Sequence, residues 1–274
     1  MDANPTYRGI TLDAETALAL LEWQLELGAD EPVTDTGLDR LTPIAAPEAP
    51  SDTAAAPAPH PAAAADDDLA QRVAQAETLA AGAETLDDLA AAQEGFDGIE
   101  LKRGARNFCF SDGNPRARVL ILGEAPGDEE DRQGRPFVGR AGQLLDRMFA
   151  AIGLARDAVD AERSLYIINV LTWRPPGNRD PQPDEIAMTM PFLRRHIELA
   201  APELIVLMGN TPCQAALGRR GILRMRGNWA QAFARPAMPM THPAYLLRNP
   251  GAKYEAWADL LSIADRLSLP VTGN

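Results

Sequence analysis

The chain has 274 residues, of which 46% are hydrophobic and two are cysteines, and a formal charge of -13. That is enough apolar material for one large domain or two small ones. No apolar run approaches the roughly eighteen residues needed to cross a bilayer, and the N-terminus lacks the basic-then-apolar layout of a secretion signal, so a cytoplasmic protein with no membrane partner is expected.

The charge is unevenly spread. Residues 1–100 carry twenty-one Asp and Glu against Arg8, Arg40 and Arg72, whereas residues 101–274 carry eighteen acids against twenty-three Lys and Arg. The first part is thus an acidic arm of about -18, and the rest is mildly basic at about +5. Arg219, Arg220, Arg224 and Arg226 cluster in RRGILRMRG. That run suits phosphate contacts, although an ordinary solvated face would produce the same pattern. Cys109 and Cys213 match neither a disulfide framework nor a metal-ligand spacing and are read as inert.

In chain order, Thr11 to Leu27 comes first, with Leu18, Leu21 and Leu25 on one side and Gly28 as a stop. This predicts an amphipathic helix within residues 1–30, either packed on the rest of the chain or a docking element for a protein partner. Leu41 to Ala65 holds six prolines and eleven alanines. Residues 31–68 are therefore read as a linker that buries too little apolar surface to order itself. Helical patterns resume at Leu69, Val73, Ala76 and Leu79, and a shorter one follows Thr85, giving a helical segment over 69–97. The main domain is placed at 98–270.

From Val119 the pattern alternates strand and helix. Val119–Leu122 reads as a strand buried on both faces, and Ala141, Leu144, Leu145, Met148, Phe149 and Ile152 as one apolar helical face. Leu165–Leu171 is a second strand, followed by RPPGNRDPQP and a helix from Asp184 to about Leu199. Leu204–Met208 is a third strand, leading through Thr211 and Pro212, read as cap and first turn, into a short helix. Ala237–Met240 is a fourth, and a last helix covers Tyr254–Leu267. The expected fold is α/β, a three-layer α/β/α arrangement on a central four-stranded parallel sheet, with a helical and disordered N-terminal extension. Its site is expected at the carboxyl ends of the strands.

Three loops leave from that edge. The first, from Gly123 to Arg140, is too long and polar for a plain strand-to-helix turn. Its Gly134-x4-Gly139-Arg140-Ala141 lacks the Lys and Ser/Thr of a phosphate-cradling loop, and no G-x-G-x-x-G follows any strand, so nucleotide cofactors are disfavoured. Phe137 in this loop reads as a stacking platform for a flat ligand. In the second, Asn169 closes an apolar strand, where an unsatisfied carboxamide would cost about 1–3 kcal/mol. In the third, His242 follows the last strand. His60 falls in the linker, and His196 on a helix in a solvated place.

GEAPGDEEDRQGRPFVGRAGQLLD from Gly123, NVLTWRPPGNRDPQPDEI from Asn169 and HPAYLLRNP from His242 together resemble the three signature blocks of the family 4 uracil-DNA glycosylases. The resemblance runs from about Gly98 to Leu267. It implies a base-excision repair enzyme that flips deoxyuridine out of DNA and hydrolyses its N-glycosidic bond, acting as a monomer on uracil-containing DNA. Phe137 would stack on the base, Asn169 would pair with its edge, and the backbone of Gly123, Ala125 and Gly127 would line the pocket. His242 would stabilise the departing base. Glu124 and, second to it, Glu130 would be the loop carboxylates tied to catalysis, while Asp128, Glu129 and Asp131 read as solvated. The usual water-activating position of better-known relatives holds Ala125. Arg248, Arg224 and Arg226 are candidates for DNA-backbone contacts.

One departure stands out. The family usually carries an iron-sulfur cluster on four cysteines, whose places here fall on Phe96, Ile99, Trp173 and Thr189. No cluster and no other metal or cofactor are expected, with a packed apolar plug in the cluster's place. Two alternatives of the same fold are a catalytically impaired DNA-binding or damage-sensing protein and a covalent uracil-DNA binder. The latter branch carries a histidine in a basic loop after the second strand, and RPPGNRDPQP has none.

Overall fold

The computed structural model describes residues 6, 7, 10, 11 and 61–269. The chain divides into two units, 1–56 and 57–274. The described part of the first is an antiparallel ladder of β1 (Thr6–Tyr7) and β2 (Ile10–Thr11). Apart from Thr11, which ends β2, the helix expected over Thr11–Leu27 lies outside the described residues, as does the linker up to residue 60. Residues 61–68 correct the linker boundary, because helix α1 spans Pro61–Gly82. The alanine run has no amphipathic period to reveal a helix, yet alanine is the best helix former and proline is tolerated in a first turn. Helix α2 (Leu86–Gly95) starts at Thr85, whose side chain accepts from Asp88 N while the Asp88 carboxylate accepts from Thr85 N. This reciprocal cap satisfies two otherwise unpaired amides.

The second unit is built on β3 (Asp112–Gly113), β4 (Val119–Gly123), β5 (Leu165–Asn169), β6 (Leu204–Met208), β7 (Ala230–Ala232) and β8 (Arg235–Met240), in the spatial order β3-β5-β4-β6-β8-β7. The four central strands are parallel, and β3 and β7 add short antiparallel edges. The parallel core is as expected. The two edge strands are too short to show an alternating pattern in the sequence.

The helices are α3 (Asp128–Gln133), α4 (Arg140–Ala150), α5 (Pro183–Ala200), α6 (Asn210–Leu217), α7 (Ile222–Met225), α8 (Pro243–Arg248) and α9 (Lys253–Arg266). Successive strand residues face opposite layers, as a pleated strand requires. Val119, Ile121, Leu165, Ile167, Leu204 and Val206 join a core with Leu145 and Phe149 of α4, Leu246 of α8 and Leu260 and Ile263 of α9. Leu120, Leu122, Tyr166, Ile168, Ile205 and Leu207 pack with Leu193 and Ile197 of α5 and Cys213 of α6. A third cluster lies where α1 and α2 pack on α5.

The sheet order positions the site. From β4 the chain moves outward to β5, then crosses back to β6 on the other side of β4. The connections leaving β4 and β6 therefore diverge, opening a crevice at their carboxyl ends.

Candidate active site

At that edge Gly123, the last residue of β4, stands in register with Asn169, the last of β5. A Cβ built on Gly123 would come within 3.0 Å of both Asn169 Oδ1 and the Phe137 ring. Glycine at this position is what lets the carboxamide and the aromatic ring meet over the strand end. Asn169 is 4% exposed, and its Oδ1 is buried without a hydrogen-bond partner among the described residues. A buried acceptor without a donor costs stability, so Asn169 Oδ1 is available to a donor from outside the described residues.

Phe137 is buried and adopts a left-handed backbone with φ 53°. A non-glycine residue held there stores strain that its surroundings must enforce. The Arg156 guanidinium enforces it, with Nη2 donating to the Phe137 carbonyl at 2.7 Å and Nη1 to that of Pro136 at 3.1 Å. Arg156 is itself fixed by Asp112 and Asp146, each at 2.8 Å. Gly142 on α4 admits the Phe137 carbonyl to a place that any Cβ would occupy.

His242 stacks beside Phe137, with ring centroids 5.4 Å apart and planes at 27°. It is the N-cap of α8, and its Nδ1 accepts from Ala244 N at 3.1 Å. Burial, then the neighbouring Arg248 charge, lower its pKa to about 4, against a smaller opposing effect of Glu130. The ring is therefore neutral at pH 7, and because Nδ1 accepts, Nε2 carries the proton. The site thus presents one N–H donor of fixed position beside an aromatic face.

Glu124 follows β4 directly. Its Oε2 accepts from the Thr211 hydroxyl of α6 at 2.5 Å, which bridges the crevice between β4 and β6. Burial raises its pKa, against the lowering effect of that hydrogen bond. Thr211 is not the helix cap that its sequence position suggests: Gly209 caps α6, and the hydroxyl is free to turn into the site.

Glu130, expected as a second catalytic carboxylate, has both oxygens engaged by backbone amides. Its Oε1 accepts from Val138 N at 2.9 Å and Gly139 N at 2.8 Å, and its Oε2 from Gly127 N at 3.1 Å. A carboxylate holding three backbone amides braces a loop. Gly127 is correspondingly the N-cap of α3, with its amide engaged by Glu130. Ala125 packs partly buried against the third apolar cluster. Asp131 is not solvated: it is 2% exposed and accepts from Arg106 N and Asn107 N. His196 is likewise buried, at 4% exposure, with Nε2 2.7 Å from the Tyr166 hydroxyl.

Of the arginines predicted to meet DNA, Arg248 and Arg224 are exposed and make no ion pair among the described residues. Arg226 is a correction. Its guanidinium is paired with the buried Asp259 and donates to the Glu255 carbonyl, so it ties α7 to α9.

The four positions at which the sequence resemblance would place cluster ligands are all buried. Phe96, Ile99 and Trp173 sit in one apolar cluster with Met188 and Phe192, and the Thr189 hydroxyl donates back to the Glu185 carbonyl at 3.1 Å. None is a thiolate, so these residues do not fit a cluster. Cys109 and Cys213 are buried and free, and burial pushes each thiol up to about 12. At that value neither is reactive.

Sequence reasoning missed Arg156 and Thr211. Arg156 lies in a charged connection with no motif, and Thr211 resembles an ordinary cap residue.

Fold and site together define a doubly wound α/β protein in which Phe137, Asn169 and His242 meet at the switch point of the sheet. The model of the Uracil DNA glycosylase superfamily matches residues 110–261. The chain is 41% identical over 148 residues to a type-4 uracil-DNA glycosylase of Thermotoga maritima, covering 52% of this chain and 73% of that one. It is 40% identical over 157 residues to one of Sulfurisphaera tokodaii (54% and 69%) and 35% identical over 193 residues to one of Archaeoglobus fulgidus (66% and 93%). The chain belongs to the uracil-DNA glycosylase superfamily, in its type-4 family.

Proposed function

We propose that the protein is a monofunctional uracil-DNA glycosylase that hydrolyses the N-glycosidic bond of a flipped-out deoxyuridine, releasing uracil and leaving an abasic site. The observation that carries this reading is the unpartnered, buried Asn169 Oδ1 beside the Phe137 ring. Uracil N3–H donates to Oδ1, and the carboxamide nitrogen donates to uracil O4. Cytosine reverses donor and acceptor at both atoms and leaves buried groups unpaired, the situation in which a site rejects an analogue strongly. Phe137 takes the face of the extruded base.

As the C1′–N1 bond breaks, its electron pair passes to the uracil ring and spreads onto O2. The neutral His242, donating through Nε2–H, stabilises that charge. Water adds to C1′ and gives up one proton. Ala125 cannot accept it, so Glu124, whose Oε1 has no hydrogen-bond partner among the described residues, is assigned to hold the water and take that proton. Glu130 serves as a brace. Arg248 and Arg224 contact phosphates, and Arg248 also lies close enough for its charge to act on His242.

Incubation with a uracil-containing oligonucleotide tests the reading. Alkali-labile abasic sites are expected, with little release after Asn169→Ala; release undiminished in that variant sinks the recognition role. Binding without cleavage, or a denaturant-resistant adduct, would instead select the impaired or covalent alternative.

We also propose that the protein works without an iron-sulfur cluster, on the support of the buried Phe96, Ile99, Trp173 and Thr189. Iron analysis and visible spectroscopy of purified protein test this: neither iron nor a brown chromophore is expected, and stoichiometric iron overturns it.

A further inference from the structure

The Glu124–Thr211 contact joins the two strands between which the fold opens its crevice. Glu124 leaves the end of β4, Thr211 sits in the first turn of α6 just past β6, and β4 and β6 are neighbours in the sheet. Thr211 is 3% exposed, so its hydroxyl is aimed inward rather than at solvent. Among the described residues it is the one side chain that hydrogen-bonds the Glu124 carboxylate, and it takes only Oε2. Gly209 begins the same turn at φ 102°, and a Cβ added there would lie 3.4 Å from His242 Cβ, so this turn runs close to His242 as well.

Other charges face Glu124 from two directions. Asp180 comes from the loop after β5 and Arg220 from the segment between α6 and α7. These two pair with each other at 3.4 Å, and both are well exposed, so their effects on Glu124 oppose each other through screened surroundings. Thr211 is the partner that water does not screen.

From this geometry we infer that Thr211 is a positioning residue for the reaction: by occupying Glu124 Oε2 it fixes the carboxylate rotamer and leaves Oε1 as the oxygen that holds the attacking water. The inference rests on the glycosylase reading for its chemistry and for the kinetic part of its test, but not for the titration. A hydroxyl donating to a carboxylate favours the ionised form. Burial already raises the Glu124 pKa, and Thr211 counteracts that. Removing the hydroxyl therefore leaves the carboxylate protonated up to a higher pH, and a protonated Glu124 cannot take a proton from water.

The test compares wild type with Thr211→Val, Thr211→Ser and Glu124→Gln in single-turnover uracil excision from pH 5 to 9. Thr211→Val is expected to be slower by about tenfold on the acid side, with its acid limb displaced to higher pH. Thr211→Ser restores the wild-type limb, and Glu124→Gln loses that limb along with most of the activity. A merely structural role for Thr211 would lower the rate evenly across pH, and that result, or superimposable profiles, overturns the inference. Carbon-13 NMR titration of the Glu124 carboxyl, assigned through Glu124→Gln, reads the same displacement without turnover. If wild type releases no uracil but the carboxyl titrates at higher pH in Thr211→Val, the glycosylase reading fails and the coupling stands; no change in that titration overturns the coupling itself.

Discussion

The recognition role proposed for Asn169 follows from the residues around it. It ends β5 in register with Gly123, at 4% exposure, with an oxygen that no described side chain or amide satisfies. Gly123 is as informative as Asn169, since a side chain there would meet Asn169 and Phe137 at once. Gly123→Ala is accordingly expected to lower kcat/KM for uracil release by about a hundredfold, because displacements near 1 Å in a preorganised site have that effect. The fold should persist, since β4 remains paired on both sides. Steady-state kinetics with a thermal melt check this; activity within a few-fold of wild type would mean that ring and carboxamide can move apart without consequence. His242 shows the same economy at one residue: a single capping hydrogen bond from Ala244 N selects the tautomer that carries its proton on Nε2.

At the scale of elements, the segment from Gly123 to Arg140 contains a helix that its composition hides. Asp128, Glu129, Glu130 and Asp131 crowd the first turn of α3, where carboxylates complement the helix dipole. Read linearly, that run is an acidic solvated loop. In three dimensions the four have separate tasks: Glu130 braces the turn into α4, Asp131 anchors the backbone of Arg106 and Asn107, and Asp128 pairs with Arg174 of the following loop at 2.7 Å. Glu129 alone remains a surface charge, paired with Arg132. Phe137 is held in its strained conformation from outside the segment, by Arg156. The cluster of Phe96, Ile99 and Trp173 similarly packs among residues of α1, α2 and α5.

For the whole molecule, the net charge of -13 conceals an acidic first hundred residues and a basic remainder. What matters for DNA is which arginines are free. Arg248 and Arg226 make a contrast. Arg248→Ala should raise KM, leave kcat and stability nearly unchanged, and reduce the slope of log affinity against log salt by about 0.9. Arg226→Ala should leave that slope alone but destabilise the fold by about 3 kcal/mol, because it strands the buried Asp259 carboxylate. Salt-dependent binding and urea unfolding of both variants check the pair; a salt effect confined to Arg226→Ala would reverse the assignment.

The parallel core of the sheet, the helical face through Leu144, Leu145 and Phe149, and the clustering of Phe137, Asn169 and His242 at one edge were legible in the sequence, because strand and helix periods and the rule that sites lie at strand ends are local or topological signals. Tertiary structure alone decided the rest. Glu124 and Glu130 are alike in sequence but differ by what lies opposite them: one hydroxyl and a pocket for the first, three backbone amides for the second. Arg226 and Arg224 stand two residues apart in one basic run, and only the packing of α7 on α9 puts a buried carboxylate against the first and solvent against the second. A side chain's charge is written in the chain, but the partner that fixes its task arrives from a distant segment, as Thr211 does for Glu124 and Arg156 for Phe137.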